Sequence, residues 1–208
     1  MSDDLAVRTT RPSAAERSSE RAATTRRALL AAAREVFTAA GFAEANIADV
    51  VARAGASVGS LYHHFGGKAD LYLALFEDYQ ARQEERAVEA VRTARDAGEH
   101  DPVRLFVAGA RAYLAGCWQE RDVARLFLAG GGPPGFELVA RKRYREWTRR
   151  NEKLLRAEEE PFGEALVLVL TTVAAEAGHE VAVCEDEARA AMLAEEVLAL
   201  IVRISRAD

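Results

Sequence analysis

The side chains best suited to recognition chemistry fall in one stretch, residues 41–72, which reads GFAEANIADVVARAGASVGSLYHHFGGKADLY. Ser57, Gly59 and Ser60 are short and stand at the start of a helical pattern. Tyr62, His63 and His64 project away from Leu61 and Phe65, the apolar positions of the same pattern. Short residues let the start of a helix approach a phosphate, and polar or aromatic groups on its outer face reach sugars and base edges. Lys68 opens the following helix, where its ammonium and that helix's free N–H groups both suit an anion. The competing reading is an ordinary corner between two bundle helices, but an outward Tyr-His-His cluster beside glycine turns has no packing rationale there.

Other chemistries find little support. The sequence shows no Ser/His/Asp arrangement, no glycine-rich phosphate loop between a strand and a helix, and no paired carboxylates in an apolar setting, so no enzyme is expected. Cys117 and Cys184 lie far apart without CxxC pairing or nearby histidine spacing, so neither metal, cofactor nor disulfide is expected. Buried structural thiols and a redox sensor are the two readings of these cysteines. His179 follows Gly178 and reads as a cap or a solvent-facing group.

The elements that must position residues 57–65 follow from periodicity. The chain is rich in alanine and poor in proline, with half its residues hydrophobic, and lacks β-branched runs and hairpin dipeptides. An all-α fold follows. Residues 1–23 have few large apolar side chains and read as a flexible arm. A helix capped at Thr24 or Thr25 carries Leu29, Ala33, Val36, Phe37 and Ala40 on one face and ends at Gly41. A second starts at Asn46, with Asp49 in its first turn, and stops at Gly55. The third runs from Ser57 to Gly66-Gly67. Two short helices around a tight glycine turn make a helix-turn-helix. A long helix over about 69–97 then begins apolar and fades into charge, as an element joining two bodies does. Further helices are expected near 102–118, 120–129, 136–157, 161–178 and 186–205, with a break at the glycine-proline run 130–135.

Net charge is −5, so total charge does not announce a nucleic-acid binder. Its distribution is more informative: residues 1–68 hold nine basic and seven acidic side chains, leaving the excess acid to the remainder. The polar start reads as no secretory signal and no stretch reads as long enough for a membrane span, which points to the cytoplasm and to no membrane partner.

From Thr25 to Tyr72 the chain resembles the DNA-binding domain of the TetR family of bacterial regulators. The matching residues are Thr25-Arg26, Ala33, Phe37, Gly41-Phe42, Asp49, Ala54-Gly55, Ser57, Gly59, Leu61-Tyr62, His64-Phe65, Lys68 and Leu71, ungapped. The resemblance implies an N-terminal three-helix helix-turn-helix domain (24–68) followed by a helical bundle (69–208) that dimerises through its last two helices and binds a small effector. It implies DNA contacts from Asn46, Ser57, Gly59, Ser60, Tyr62, His64 and Lys68, with Thr25 and Arg26 near the backbone. His63 and Val58 join that surface. Val58 stands where a polar residue is common and offers methyl groups to a thymine methyl; Ala45 stands where a hydroxyl is common.

In the bundle, Phe106, Tyr113, Trp118, Phe127, Tyr144 and Trp147 either line an apolar effector pocket or simply pack the core. Leu166, Val169, Leu170, Val173, Val197, Leu198, Ile201 and Ile204 make the last two helices more apolar than a surface pair should be, which either a four-helix contact between two subunits or a central place within one bundle would bury. Basic residues between Arg141 and Lys153 read as a solvated face with local ion pairs. The function expected is an operator-binding repressor released by a small hydrophobic effector. The alternative is a helical small-molecule-binding protein that has lost DNA regulation.

Overall fold

Every regular element is helical among the residues described by the computed structural model, 13–128, 130–159 and 163–205. The helices are α1 (Ala14–Glu44), α2 (Ile47–Ala54), α3 (Val58–Phe65), α4 (Lys68–Asp96), α5 (Pro102–Gln119), α6 (Arg121–Leu128), α7 (Phe136–Leu154), α8 (Gly163–Val183) and α9 (Glu187–Ile204). A 3-10 turn, Ala157–Glu159, precedes α8.

The start of α1 corrects the sequence expectation. Residues 14–23, read as part of an arm, are helical; residues 1–12 of that arm lie outside the described residues. Thr24 and Thr25 are interior positions whose hydroxyls donate back to the carbonyls of Glu20 and Arg21 at 2.8 and 3.0 Å. Alanine and arginine in this stretch carry enough intrinsic helix preference to extend the helix without an apolar stripe. The break at Gly41 is as expected: its φ of 71° interrupts α1, and one more turn carries the chain to Glu44.

α1, α2, α3 and the first turns of α4 enclose one core. Leu29, Ala33 and Phe37 from α1 meet Val50, Leu61, Leu71 and Tyr72, all essentially inaccessible. Tyr72 is its centre, standing edge-on to Phe37, Phe42, Phe127 and Phe136 at centroid distances of 5.2–5.4 Å. Phe127 and Phe136 belong to α6 and α7, and Leu126 and Phe136 are buried in the same cluster. The N-terminal helices are therefore fastened to the bundle by shared packing rather than by a loose linker. Ala45, 6 % exposed, is part of this core, which accounts for a methyl group at that position.

The second core lies among α5, α7, α8 and α9, built on Phe106, Leu114, Val167, Leu170, Ala174, Val181, Leu198 and Ile201. α8 corrects a second expectation: with 21 residues and a mean hydropathy of 1.5 it is long and apolar enough to cross a membrane by length and composition. It is nonetheless the central helix of the bundle, touching α5, α6, α7 and α9. It also runs past Gly178, expected to end it. That glycine is a packing position, since a Cβ there would lie 2.6 Å from the Tyr113 hydroxyl oxygen. α5 begins as expected, with Pro102 in its first turn and Asp101 accepting from the N–H groups of Val103 and Arg104 at 2.8 and 3.1 Å. Asp101→Ala is expected to cost about 1 kcal/mol, read as a lower urea midpoint with unchanged slope.

Candidate nucleic-acid interface and effector cavity

α2 and α3 form a compact unit whose ends are set by their own side chains. Asn46 caps α2 by accepting from the Ala48 N–H at 2.9 Å. Gly55 closes α2 at φ 61°, ψ 32°, a left-handed conformation that only glycine adopts freely, and so turns the chain into α3 within two residues. Ser57 caps α3 by accepting from the Ser60 N–H at 3.1 Å. Leu61 and Phe65 are buried beneath, and this fixes which face of α3 looks outward.

That outward face carries the residues expected there. Asn46, Ser57, Val58, Gly59, Tyr62 and His63 are exposed, while Ser60, His64 and Lys68 are half-buried. Tyr62 is 53 % and Val58 48 % exposed, high for side chains of their size. α3 has no acidic residue in its first turn, so the positive end of its dipole is not neutralised by its own sequence. Arg26 is exposed and lies over the Phe65 ring at 5.0 Å, with half-buried Thr25 beside it, so the α1 flank borders the same surface. Lys68 is more constrained than expected: its ammonium donates to the Ala43 carbonyl at 2.8 Å and sits 4.9 Å from the Phe42 ring centre. It ties the start of α4 to the end of α1, leaving two of its three N–H donors for an anion.

A second feature is a cavity of about 1040 Å³ in the bundle. One face of α4 lines it at every third or fourth residue from Phe76 to Asp96, a span of about 30 Å at 1.5 Å per residue. Of the six aromatic residues expected at a pocket, Phe106, Tyr113, Phe127, Tyr144 and Trp147 line it. Trp118 does not; it packs on the second core with the Arg121 guanidinium 4.4 Å from its ring. His179 lines the cavity from within α8, 3.6 Å from Glu176, rather than capping a helix. Two basic residues of α7 pair across to α4, Arg143 with Glu77 at 2.5 Å and Arg150 with Glu84 at 3.1 Å, and Arg143 also pairs locally with Glu146 at 3.1 Å.

The centre of the cavity disfavours negative charge. Burial pushes the Tyr79 and Tyr113 hydroxyls well above the ordinary tyrosine value and the Cys117 thiol up to about 11. Cys117 is thus a protonated, unreactive thiol at neutral pH. Cys184, half-buried, donates to the Glu180 carbonyl at 3.3 Å. Among the described residues no three His, Cys, Asp or Glu side chains converge as metal ligands.

Between interface and cavity sits a residue with no signature in the sequence. Glu120, at the corner of α5 and α6, is buried and accepts from Arg82 at 2.6 Å, Arg86 at 2.6 Å and Arg34 at 3.4 Å. Arg34, on α1, also clasps Asp122 at 2.9 Å. Arg82 has a second partner in Asp78. One carboxylate thus joins α1, α4 and the α5–α6 corner. Its partners lie 34, 38 and 86 residues away, so no local motif announces it.

Comparison with known proteins bears on the whole chain. Residues 29–75 match the family model described as "Bacterial regulatory proteins, tetR family". A TetR-family transcriptional regulator from Pectobacterium atrosepticum is 29 % identical, with 90 % of this chain and 95 % of that one covered at a TM-score of 0.58. A transcriptional regulator of the TerR/AcrR family from Aquifex aeolicus shares the fold at a TM-score of 0.67 and 22 % identity, over 86 % of this chain and 99 % of that one. A TetR-like transcriptional regulator from Rhodococcus sp. RHA1 does so at 0.64 and 22 %, over 95 % of this chain and all of that one. No curated protein sequence matches the chain.

Proposed function

We propose that the chain, whose residues 29–75 match the family model of tetR-family bacterial regulatory proteins, is a DNA-binding transcriptional regulator of that family, a cytoplasmic, homodimeric repressor released from its operator by a small, mainly apolar effector. The observation that carries this reading is the double duty of α4. Its first turns, through Leu71, Tyr72 and Leu75, belong to the core beneath α3, and its next five turns line the cavity. A ligand that fills the cavity must bear on the helix that seats the recognition helix.

The proposed division is an N-terminal extension over 1–23, helical from residue 14, a DNA-binding domain over 24–68 and an effector and dimerisation domain over 69–208. The DNA contacts are assigned to Asn46, Ser57, Val58, Gly59, Ser60, Tyr62, His63, His64 and Lys68, with Thr25 and Arg26 at the flank. Dimerisation is assigned to α8 and α9. Leu168, Val169 and Val183 on α8 and Met192, Leu200 and Ile204 on α9 supply six of the ten exposed large hydrophobics among the described residues. Met192, Leu200 and Ile204 recur at multiples of four along one face of α9, the pattern of a helix that packs on a partner. Two recognition helices on one face of B-DNA must lie about 34 Å apart, so a tilt of α4 that changes this spacing by a few Å prevents simultaneous docking.

Full-length protein mixed with sheared DNA of its own genome is expected to retain palindromic fragments, with two protomers bound per fragment. Affinity for such a fragment is expected to fall by about 10³ or more between 50 and 200 mM salt, from phosphate contacts by two protomers. Tyr62→Ala should weaken it about tenfold. Retention of no fragment, or binding indifferent to both salt and Tyr62→Ala, overturns the reading.

A further inference from the structure

Among the described residues that line the cavity, Gln83 is buried with neither of its polar side-chain atoms matched, whereas Arg143 lacks a partner only at Nε. Gln83, on α4, is 3 % exposed, yet neither its amide oxygen nor its amide nitrogen has a hydrogen-bond partner among the described residues. The oxygen lies against the α-carbon of Gly116, where a Cβ would come within 2.2 Å of it. Tyr79 donates its hydroxyl to the Cys117 sulfur at 3.7 Å and offers the amide nitrogen only a contact whose geometry falls short of a hydrogen bond. A primary amide withdrawn from water without partners is costly, and interiors accept that cost chiefly where a function requires the group. Gln83 also sits near the middle of the lined face of α4, with Phe76 seven residues before it and Val91 eight after.

We propose that Gln83 is the specificity determinant of the effector site and that its ligand is an apolar molecule carrying an uncharged carbonyl, hydroxyl or amide group part-way along its length. This rests on the cavity being the effector site, as argued above. The cavity is long relative to its volume, which suits a body one chain or one ring wide. A neutral polar group suits this point because Tyr79, beside the amide, and Cys117, which accepts from Tyr79, are both held protonated by burial. An anion placed among them would meet the same desolvation penalty. The primary amide both donates and accepts, so it serves a ketone, an alcohol or an amide alike.

Three ligands of nearly equal shape separate the possibilities: 2-acetylnaphthalene, 2-ethylnaphthalene and 2-naphthoate, titrated into the full-length protein and followed by energy transfer from tryptophan, since Trp147 lines the cavity. The ketone is expected to bind at least tenfold tighter than the hydrocarbon, and the carboxylate no tighter than either. Gln83→Leu should bring the ketone and hydrocarbon to equal affinity while holding or raising the ligand-free melting temperature, because it removes an unmatched amide at nearly constant volume. Gln83→Met serves as a second variant with a flexible side chain. Equal binding of ketone and hydrocarbon by the unaltered protein overturns the proposal but leaves the cavity as effector site. An unchanged preference in both variants, or tightest binding by the carboxylate, overturns it as well. Failure of all three ligands to bind removes the effector-site reading and this proposal together.

Discussion

Exchanging Glu120 for glutamine is expected to lower the thermal midpoint of this protein by about 6–12 °C. Glu120 is buried and holds three guanidinium groups, from Arg34, Arg82 and Arg86. Removing one partner of a buried ion pair costs ~3–5 kcal/mol, because the remaining charge stays desolvated without compensation. Here the arginines are about one-third exposed, so water relieves part of that cost and about 3 kcal/mol is the better figure. A chain of this length loses about 2–4 °C per kcal/mol. The acid limb carries an independent signature. Burial works against ionisation of Glu120, but the hydrogen bonds and charges of Arg82 and Arg86 outweigh it, and its affinity for a proton in the folded state falls below the ordinary 4.5. A carboxyl so depressed stabilises the fold fully above pH 4.5 and loses that contribution as the pH falls from there through its folded value. Asp122, held by Arg34, shifts the same way despite burial and adds to the same limb. The stability of Glu120→Gln should therefore vary less with pH below about 4.5 than that of the unaltered protein, as thermal melts across pH 3–7 would register. An unchanged midpoint and an unchanged acid limb would show that the three arginines do not depend on this carboxylate.

The elements that position the interface were legible because their signals are local. Gly55 between two short helices, Ser57 three residues before Ser60, and Leu61 with Phe65 on one face each constrain the backbone within a few residues. Where the reading failed, the deciding interaction was elsewhere in the chain or the rule had a second use. Gly178 looked like a stop, yet its missing side chain makes room for Tyr113 of α5. Thr24 and Thr25 looked like caps, yet a helix interior also satisfies their hydroxyls through preceding carbonyls. His179 looked peripheral only because α8 was read as ending beside it. The cavity was half legible: five of the aromatics expected at a pocket, on α5, α6 and α7, line it, but helical spacing cannot separate them from Trp118, which packs outside it. Gln83 and Glu120 were illegible for one shared reason. Each lies in or beside a run of charged residues that, by composition, belongs to solvent, and only packing of α4 against α5 takes them out of it.

Gly59 offers the sharpest separation of fold from function, and its replacement is expected to weaken DNA binding while leaving the protein intact. It sits in the first turn of α3, exposed, with helical backbone rather than positive φ. A Cβ built there meets only the Ser57 hydroxyl oxygen, at 3.9 Å. Nothing in the chain therefore demands a glycine, and alanine would favour the helix by up to about 1 kcal/mol. The remaining rationale is close approach by something outside the protein, at a helix start where no acidic side chain in the first turn neutralises the dipole. Gly59→Ala should hold or raise the thermal midpoint and weaken operator binding about tenfold through loss of that approach. Gly59→Asp should be equally well folded, since a carboxylate in the first turn complements the dipole. It should nevertheless lose roughly 10³ in affinity, because a like charge set against a phosphate costs several kcal/mol. The comparison needs only melting curves and DNA titrations of three proteins at one salt concentration. Full affinity in Gly59→Asp would move the DNA surface away from α3, and a collapsed midpoint in Gly59→Ala would return this glycine to the fold.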